Sequence, residues 1–177
     1  SQRWHNPAIS DEIYERIVYS ESTHVPMASL PGMAERTITT NGLSKTYSVT
    51  GWRMGWALSP VALTGGIRKM HDFLTIAAPS PFHDAGVTAL QLPEQYYSDL
   101  NGEYQQKRDL MMDILARHGF PAYTPGGAYY VIADVSRFGF KNDADFARFL
   151  VKDIGVATVP GSSFYIDPSA APQTVRF

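Results

Sequence analysis

The chain has 177 residues, 44% of them hydrophobic and 18% charged, with a formal net charge of −2. That composition is globular, far from disordered, collagenous or membrane chains, and near-neutrality without a cluster of lysines and arginines gives no electrostatic ground for nucleic acid or an anionic membrane as partner. The chain holds no cysteine, which excludes disulfides, thiolate metal sites and cysteine nucleophiles and fits a cytoplasmic protein with small-molecule chemistry.

No run of about 18 apolar residues is present to span a bilayer, and the opening SQRWHNPAIS lacks the charged and apolar regions of a signal peptide. In chain order, Ala8-Ile9-Ser10 reads as the end of a buried strand. TITT at 37–40 and MGWALS at 54–59 read as two buried strands flanking a polar loop that contains Gly42 and Gly51. Pro60 stands where a first helical turn begins, and Ile67, Met70, His71 and Leu74 recur at helical spacing. A second helix follows Pro81 over 84–92 and is ended by Pro93.

The strongest periodic signal lies between Glu94 and His118. Tyr97, Leu100, Tyr104, Met111 and Leu115 trace one stripe of a long amphipathic helix, and Gly119 stops it. GGAYYVIADV at 126–135 then reads as a strand, and Asn142 or Asp143 caps a helix that carries Phe146, Phe149, Leu150 and Ile154 up to Gly155. VATVP at 156–160 and TVRF at 174–177 are further strands, the last running to the chain end, so that both termini read as cut. The alternation predicts α/β layering before Pro93 and an α+β piece after it, with residues 1–93 and 94–177 as the two domains and the long helix as their bridge.

The chemistry concentrates in NGLSKTYSVTGWRMGW, residues 41–56, a loop between two apolar strands. Loops held by a rigid sheet are where reactive groups collect. Lys45 is flanked by the hydroxyl residues Ser44 and Thr46, and Arg53 follows eight positions later at the mouth of the next strand. An amine beside a guanidinium and a hydroxyl suits an anionic phosphate.

SKTYSVTGWRMGW resembles the pyridoxal-phosphate lysine signature of class I (fold type I) aminotransferases. ISDEIYERIVY at 9–19, PGSSFY at 160–165 and the terminal VRF are similar to other elements of that family, in the family's order, so that the resemblance extends over essentially the whole chain. It implies a fold made of part of an aspartate aminotransferase-like large domain plus an α+β small domain, and pyridoxal 5'-phosphate (PLP) as cofactor. The implied activity moves an amino group between an L-amino acid and a 2-oxo acid through a Lys45 Schiff base.

By the same resemblance Asp11 holds the proton of the cofactor's ring nitrogen, Tyr14 donates to the ring hydroxylate, and Ser44 and Arg53 contact the phosphate. Arg176, in VRF, grips the substrate α-carboxylate. Many relatives carry a serine where this chain has Gly42, which leaves part of the phosphate cup different. The family also draws a glycine-rich turn, a stacking aromatic and an asparagine from chain preceding residue 1, and it works as a homodimer.

Plainer roles stand beside these. Asp11 caps a helix over 12–16, Tyr14 packs on Ile17 or Val18, Arg53 stacks on Trp52 or Trp56, and Arg176 frays at the chain end. His24, His71 and His83 show no metal-ligand spacing with acids or one another, so no metal is expected. Two other functions are carried alongside transamination: a stable non-catalytic fragment that retains the lysine, and a PLP-dependent lyase of the same fold.

Overall fold

A short strand of alternating burial pairs with the β-branched run TITT to form the first sheet. β1 (Ala8–Asp11) and β2 (Thr37–Gly42) lie parallel, with Ala8 opposite Thr37 and Asp11 opposite Thr40, and β3 (Gly55–Leu58) runs antiparallel along the other side of β2 with Gly42 opposite Gly55. The structure is a computed structural model that describes residues 6–177; residues 1–5, part of the stretch read for targeting features, lie outside the described residues. β3 departs from its expected burial. It forms an edge of the sheet, with Gly55, Ala57 and Leu58 exposed, since an apolar run alone does not say what covers it.

Ile17, Tyr19 and Leu43 are the buried centre of this first part. α1 (Val61–Leu74) follows Pro60, as expected, but Met70, His71 and Leu74 of its stripe are exposed and Ile67 is half-buried. α2 (Ser80–Leu90) starts four residues earlier than predicted. Pro81 falls in its first turn, where the missing N–H has no intrahelical acceptor to lose. This helix lies over the loop between β2 and β3: Gly86 is buried with Leu43 beside it, and the Trp52 ring stacks on Phe82 at 4.8 Å.

α3 (Glu94–Arg117) is the long helix the stripe predicts. Tyr97 and Leu115 are buried, and Leu100, Tyr104 and Met111 half-buried. Gly119 takes the left-handed conformation at φ +75°, and the Phe120 N–H closes the end on the Leu115 carbonyl at 2.8 Å. The chain divides into two compact units inside this helix, one running to Asn101 and the other from Gly102 to Phe177.

The second unit is built on a four-stranded antiparallel sheet in the order β4 (Ala122–Tyr123), β5 (Ile132–Asp134), β7 (Thr174–Arg176), β6 (Val159–Pro160). Its core comprises Val131, Ala133, Val135 and Val175 from the sheet region, Leu115 from α3, and Phe146 and Ala147 from α4 (Asp143–Phe149), joined by Phe120 and Phe177. Asn142 caps α4 by accepting the Asp145 N–H at 2.8 Å. The helix continues as a π turn over Leu150–Ile154 and ends at Gly155, φ +82°.

Two strands are shorter than their sequence patterns. β5 begins at Ile132 rather than 126 because Ala128 sits at φ +59°, a left-handed geometry that breaks the extended run. β6 keeps two residues of the expected 156–160. Among the described residues, no helix is long and apolar enough to cross a membrane.

Candidate active site

Because β1 and β2 are parallel, their C-terminal ends share one edge of the sheet, and because β3 is antiparallel, its beginning lies at that edge too. Asp11 is the last residue of β1 and Tyr14 follows three positions on. Ser44 and Lys45 come two and three positions past the end of β2, and Arg53 stands two positions before β3. The topology therefore brings Asp11, Tyr14, Ser44, Lys45 and Arg53 to a single edge. That is the edge where open α/β sheets place their ligands.

The loop from Leu43 to Met54 carries backbone and side-chain hydrogen bonds within itself. Leu43 N–H donates to the Met54 carbonyl at 3.1 Å, Tyr47 N–H to Leu43 at 3.2 Å and Ser48 N–H to Lys45 at 3.3 Å. Thr50 Oγ1 donates to the Ser44 carbonyl at 2.9 Å, and Arg53 Nη1 to the Thr50 carbonyl at 3.0 Å. Ser48 and Arg53 both adopt φ +55°. Non-glycine residues at positive φ carry about 1–3 kcal/mol of strain and gather at functional loops. Arg53 is exposed and Lys45 half-buried. The stacking that Trp52 offers goes to Phe82, not to Arg53.

Gly42 and Gly55 face each other where the strands close on the loop. A Cβ on Gly42 would lie 2.6 Å from the Met54 carbonyl oxygen, and one on Gly55 would lie 2.7 Å from that of Asn41. The departure at Gly42 thus has a physical reason, since in this backbone the position has no room for a serine side chain.

On the β1 side, Asp11 Oδ1 accepts the Ile13 N–H at 3.2 Å. A capping role is thus present, but over tight turns rather than a helix: Glu15 N–H reaches Glu12 O at 3.0 Å and Ile17 N–H reaches Tyr14 O at 2.9 Å. Asp11 is exposed, and Oδ2 has no hydrogen-bond partner among the described residues.

Glu12, between these residues, escaped sequence reading. Its buried carboxylate accepts from Ser10 Oγ at 2.9 Å and the Met27 N–H at 3.0 Å, and meets His24 Nε2 at 3.1 Å. Spacing alone kept His24 away from acids, whereas the fold brings one ligand atom each of Glu12, Glu15 and His24 within 4.8 Å of one another. Burial works against the charge on Glu12, and the hydrogen bonds from His24, Met27 and Ser10 outweigh it, so its carboxyl titrates below the usual range.

Arg176 belongs to the second unit and is described within it. It is ordered in β7, paired with Ile132 and Val159, and so is not a frayed terminus. Its guanidinium lies 4.1 Å from the ring centre of Tyr130 and 4.9 Å from that of Phe164. These three residues, with Tyr123 and Ile132, line a hollow of about 430 Å³ that is mostly apolar apart from the guanidinium.

The fold is that of known aminotransferases. Superposed on the N-succinyldiaminopimelate aminotransferase of Mycobacterium tuberculosis, the chain gives a TM-score of 0.89 at 33% identity, with 97% of this chain and 44% of that one covered. The aromatic aminotransferase of Pyrococcus horikoshii gives 0.88 at 33% identity, covering 97% and 45%. In sequence, the kynurenine–oxoglutarate transaminase of Dictyostelium discoideum is 34% identical over 90% of this chain and 41% of its own length. The model of the family "Aminotransferase class I and II" matches residues 2–177, and the chain belongs to that family. It spans less than half the length of the relatives it matches.

Proposed function

We propose that this chain is the lysine-bearing part of a PLP-dependent aminotransferase that moves an amino group between an L-amino acid and a 2-oxo acid. One observation carries the reading: the strand register gathers a carboxylate, a phenol, an amine, a hydroxyl and a guanidinium, those of Asp11, Tyr14, Lys45, Ser44 and Arg53, at one edge of one sheet. Membership of the aminotransferase family supports it.

This donor set fits the cofactor. Asp11 keeps an unengaged carboxylate oxygen among the described residues, suited to a protonated ring nitrogen. Arg53 spends one N–H donor on Thr50, and the remaining donors suit a phosphate dianion, with the Ser44 hydroxyl beside it in sequence. Tyr14 supplies a phenol for the ring hydroxyl. Bound there, PLP supplies the electron sink that lets a substrate Cα–H bond break.

The chain's own residues do the rest. Arg176 pairs with the substrate α-carboxylate as a fork and orients the Cα–H bond, with Tyr130 and Phe164 fixing the plane of its guanidinium. Lys45 Nζ takes the proton from the substrate Cα and returns it on the other side of the transfer, a task for an amine whose reach is set by a closed loop. In this reading residues 1–93 complete a large domain, 94–177 form the bridging helix and small domain, and the full-length enzyme is a cytoplasmic homodimer.

The test is an assay of the full-length protein with L-kynurenine or L-phenylalanine as donor and 2-oxoglutarate as acceptor. Glutamate formation is expected. Ammonia release without glutamate would make the enzyme a lyase, and no turnover of any L-amino acid by intact, PLP-supplemented full-length protein would overturn the reading. The 177-residue chain showing no visible band that borohydride removes would favour the non-catalytic fragment.

A further inference from the structure

We propose that Tyr96 and Tyr97, in the first turn of α3, are positioning residues that hold the Lys45 loop and the turn after β1 in one fixed relation. This rests on the reading of Lys45 as the cofactor lysine.

The contacts run to both sides of the edge. Tyr96 Oη donates to the carbonyl of Thr46, the residue after Lys45, at 2.7 Å. The Tyr47 ring stacks on Tyr96, with centroids 5.7 Å apart and planes 12° from parallel. The Tyr47 and Tyr97 hydroxyls form a hydrogen bond of 2.7 Å, and the two helix tyrosines meet edge to face at 5.5 Å. On the other side, the Arg16 guanidinium, from the segment that follows Asp11 and Tyr14, lies 4.6 Å from the Tyr97 ring centre. Two residues further along, the Val18 N–H donates to Asn101 Oδ1 at 3.3 Å.

Tyr97 thus touches both segments, and Tyr96 grips the peptide next to the lysine. Thr46 and Tyr97 are buried while Tyr47 and Tyr96 are half-buried, so competition from water for these bonds is reduced. Burial and the hydrogen bond to Tyr97 push the Tyr47 phenol above its ordinary range, against a pull from Arg16. Packing alone asks for an apolar ring here; the part-buried hydroxyls are additional, and each is spent on the Lys45 loop.

The experiment compares Tyr96→Phe and Tyr97→Phe with Tyr104→Phe, a control two turns further along α3, in the full-length protein. Tyr96→Phe keeps the ring stack and removes one hydroxyl. A neutral buried hydrogen bond shifts an equilibrium by roughly three- to tenfold. Amide hydrogen exchange over 43–54, measured without cofactor, is expected to quicken by that factor in Tyr96→Phe. The dissociation constant for PLP should rise to a similar extent, and the pH midpoint of the cofactor's visible band should move, while KM for the amino donor stays put.

Tyr97→Phe, which keeps the ring against Arg16, should quicken exchange over 43–54 alone, Tyr97→Ala over both 43–54 and 12–18, and Tyr104→Phe over neither. Unchanged exchange and PLP affinity in Tyr96→Phe would overturn the proposal. So would quickening spread evenly over the chain, the mark of a merely structural role. If the wild-type protein shows no visible band that borohydride removes, the reading of Lys45 has failed, and the exchange pattern still decides whether the bracket exists.

Discussion

The Arg176 guanidinium stacks on the Tyr130 ring at 4.1 Å, and Phe164 covers it at 4.9 Å. Stacking leaves the in-plane N–H donors of the fork for a carboxylate and restrains its rotation. Phe164→Ala should raise KM for both the amino donor and the 2-oxo acid about two- to fivefold with little change in kcat, the size of one cation–π contact. Arg176→Lys should raise it by about tenfold or more, because an ammonium cannot reproduce the bidentate pair. Steady-state kinetics on both half-substrates checks each number.

Asp143 is buried at the start of α4 and accepts both the N–H and the hydroxyl of Ser162 at 2.7 Å. Ser162 lies in the short 3-10 turn Gly161–Phe164 that carries Phe164. Asp143→Ala should cost about 1–3 kcal/mol in urea unfolding, since Ser162 loses its partner, and should raise KM as Phe164→Ala does. Stability loss with KM unchanged would separate the clamp from the arginine.

At Gly42 the expected cost is steric. Gly42→Ala places a methyl 2.6 Å from the Met54 carbonyl oxygen, and backbone cannot yield as a side chain tip does. A loss of about 1–3 kcal/mol is expected, read as a lowered urea midpoint, with PLP binding weakened because the same displacement moves the Lys45 loop.

Glu12 makes stability depend on acid. Its folded-state carboxyl lies below the usual value, so the stability from its ionised form is fully present above the unfolded glutamate's value of about 4.3 and is lost as pH falls through the lower folded one. Unfolding measured between neutral pH and the acid range should show wild-type stability dropping in that window. Glu12→Gln should be less stable at neutral pH and should show a shallower drop.

The features legible in the sequence were the ones with local causes. The stripe of Tyr97, Leu100, Tyr104, Met111 and Leu115 fixes a helix by periodicity, and Gly119 and Gly155 end helices because they take left-handed backbone geometry. The loop carrying Lys45 and Arg53 was visible because its Gly and hydroxyl residues interrupt two apolar runs. Features that depend on distant partners were not. The exposure of β3 and of the α1 stripe depends on what packs against them. The Tyr96–Thr46 bond links residues fifty positions apart, and the Glu12–His24 contact depends on how the segment before β2 returns to β1. Ala128 gave no warning, because alanine does not favour the conformation that breaks its strand.

The central claim is that Lys45 is the residue that holds the cofactor and moves the proton. The full-length protein, loaded with PLP, reduced with borohydride and digested, should yield a pyridoxyl group on the peptide containing Lys45, and Lys45→Ala should lose both the visible band and about 10²–10⁴-fold in kcat. A pyridoxyl group on another lysine, or a Lys45→Ala variant that keeps the band and turns over normally, would contradict it.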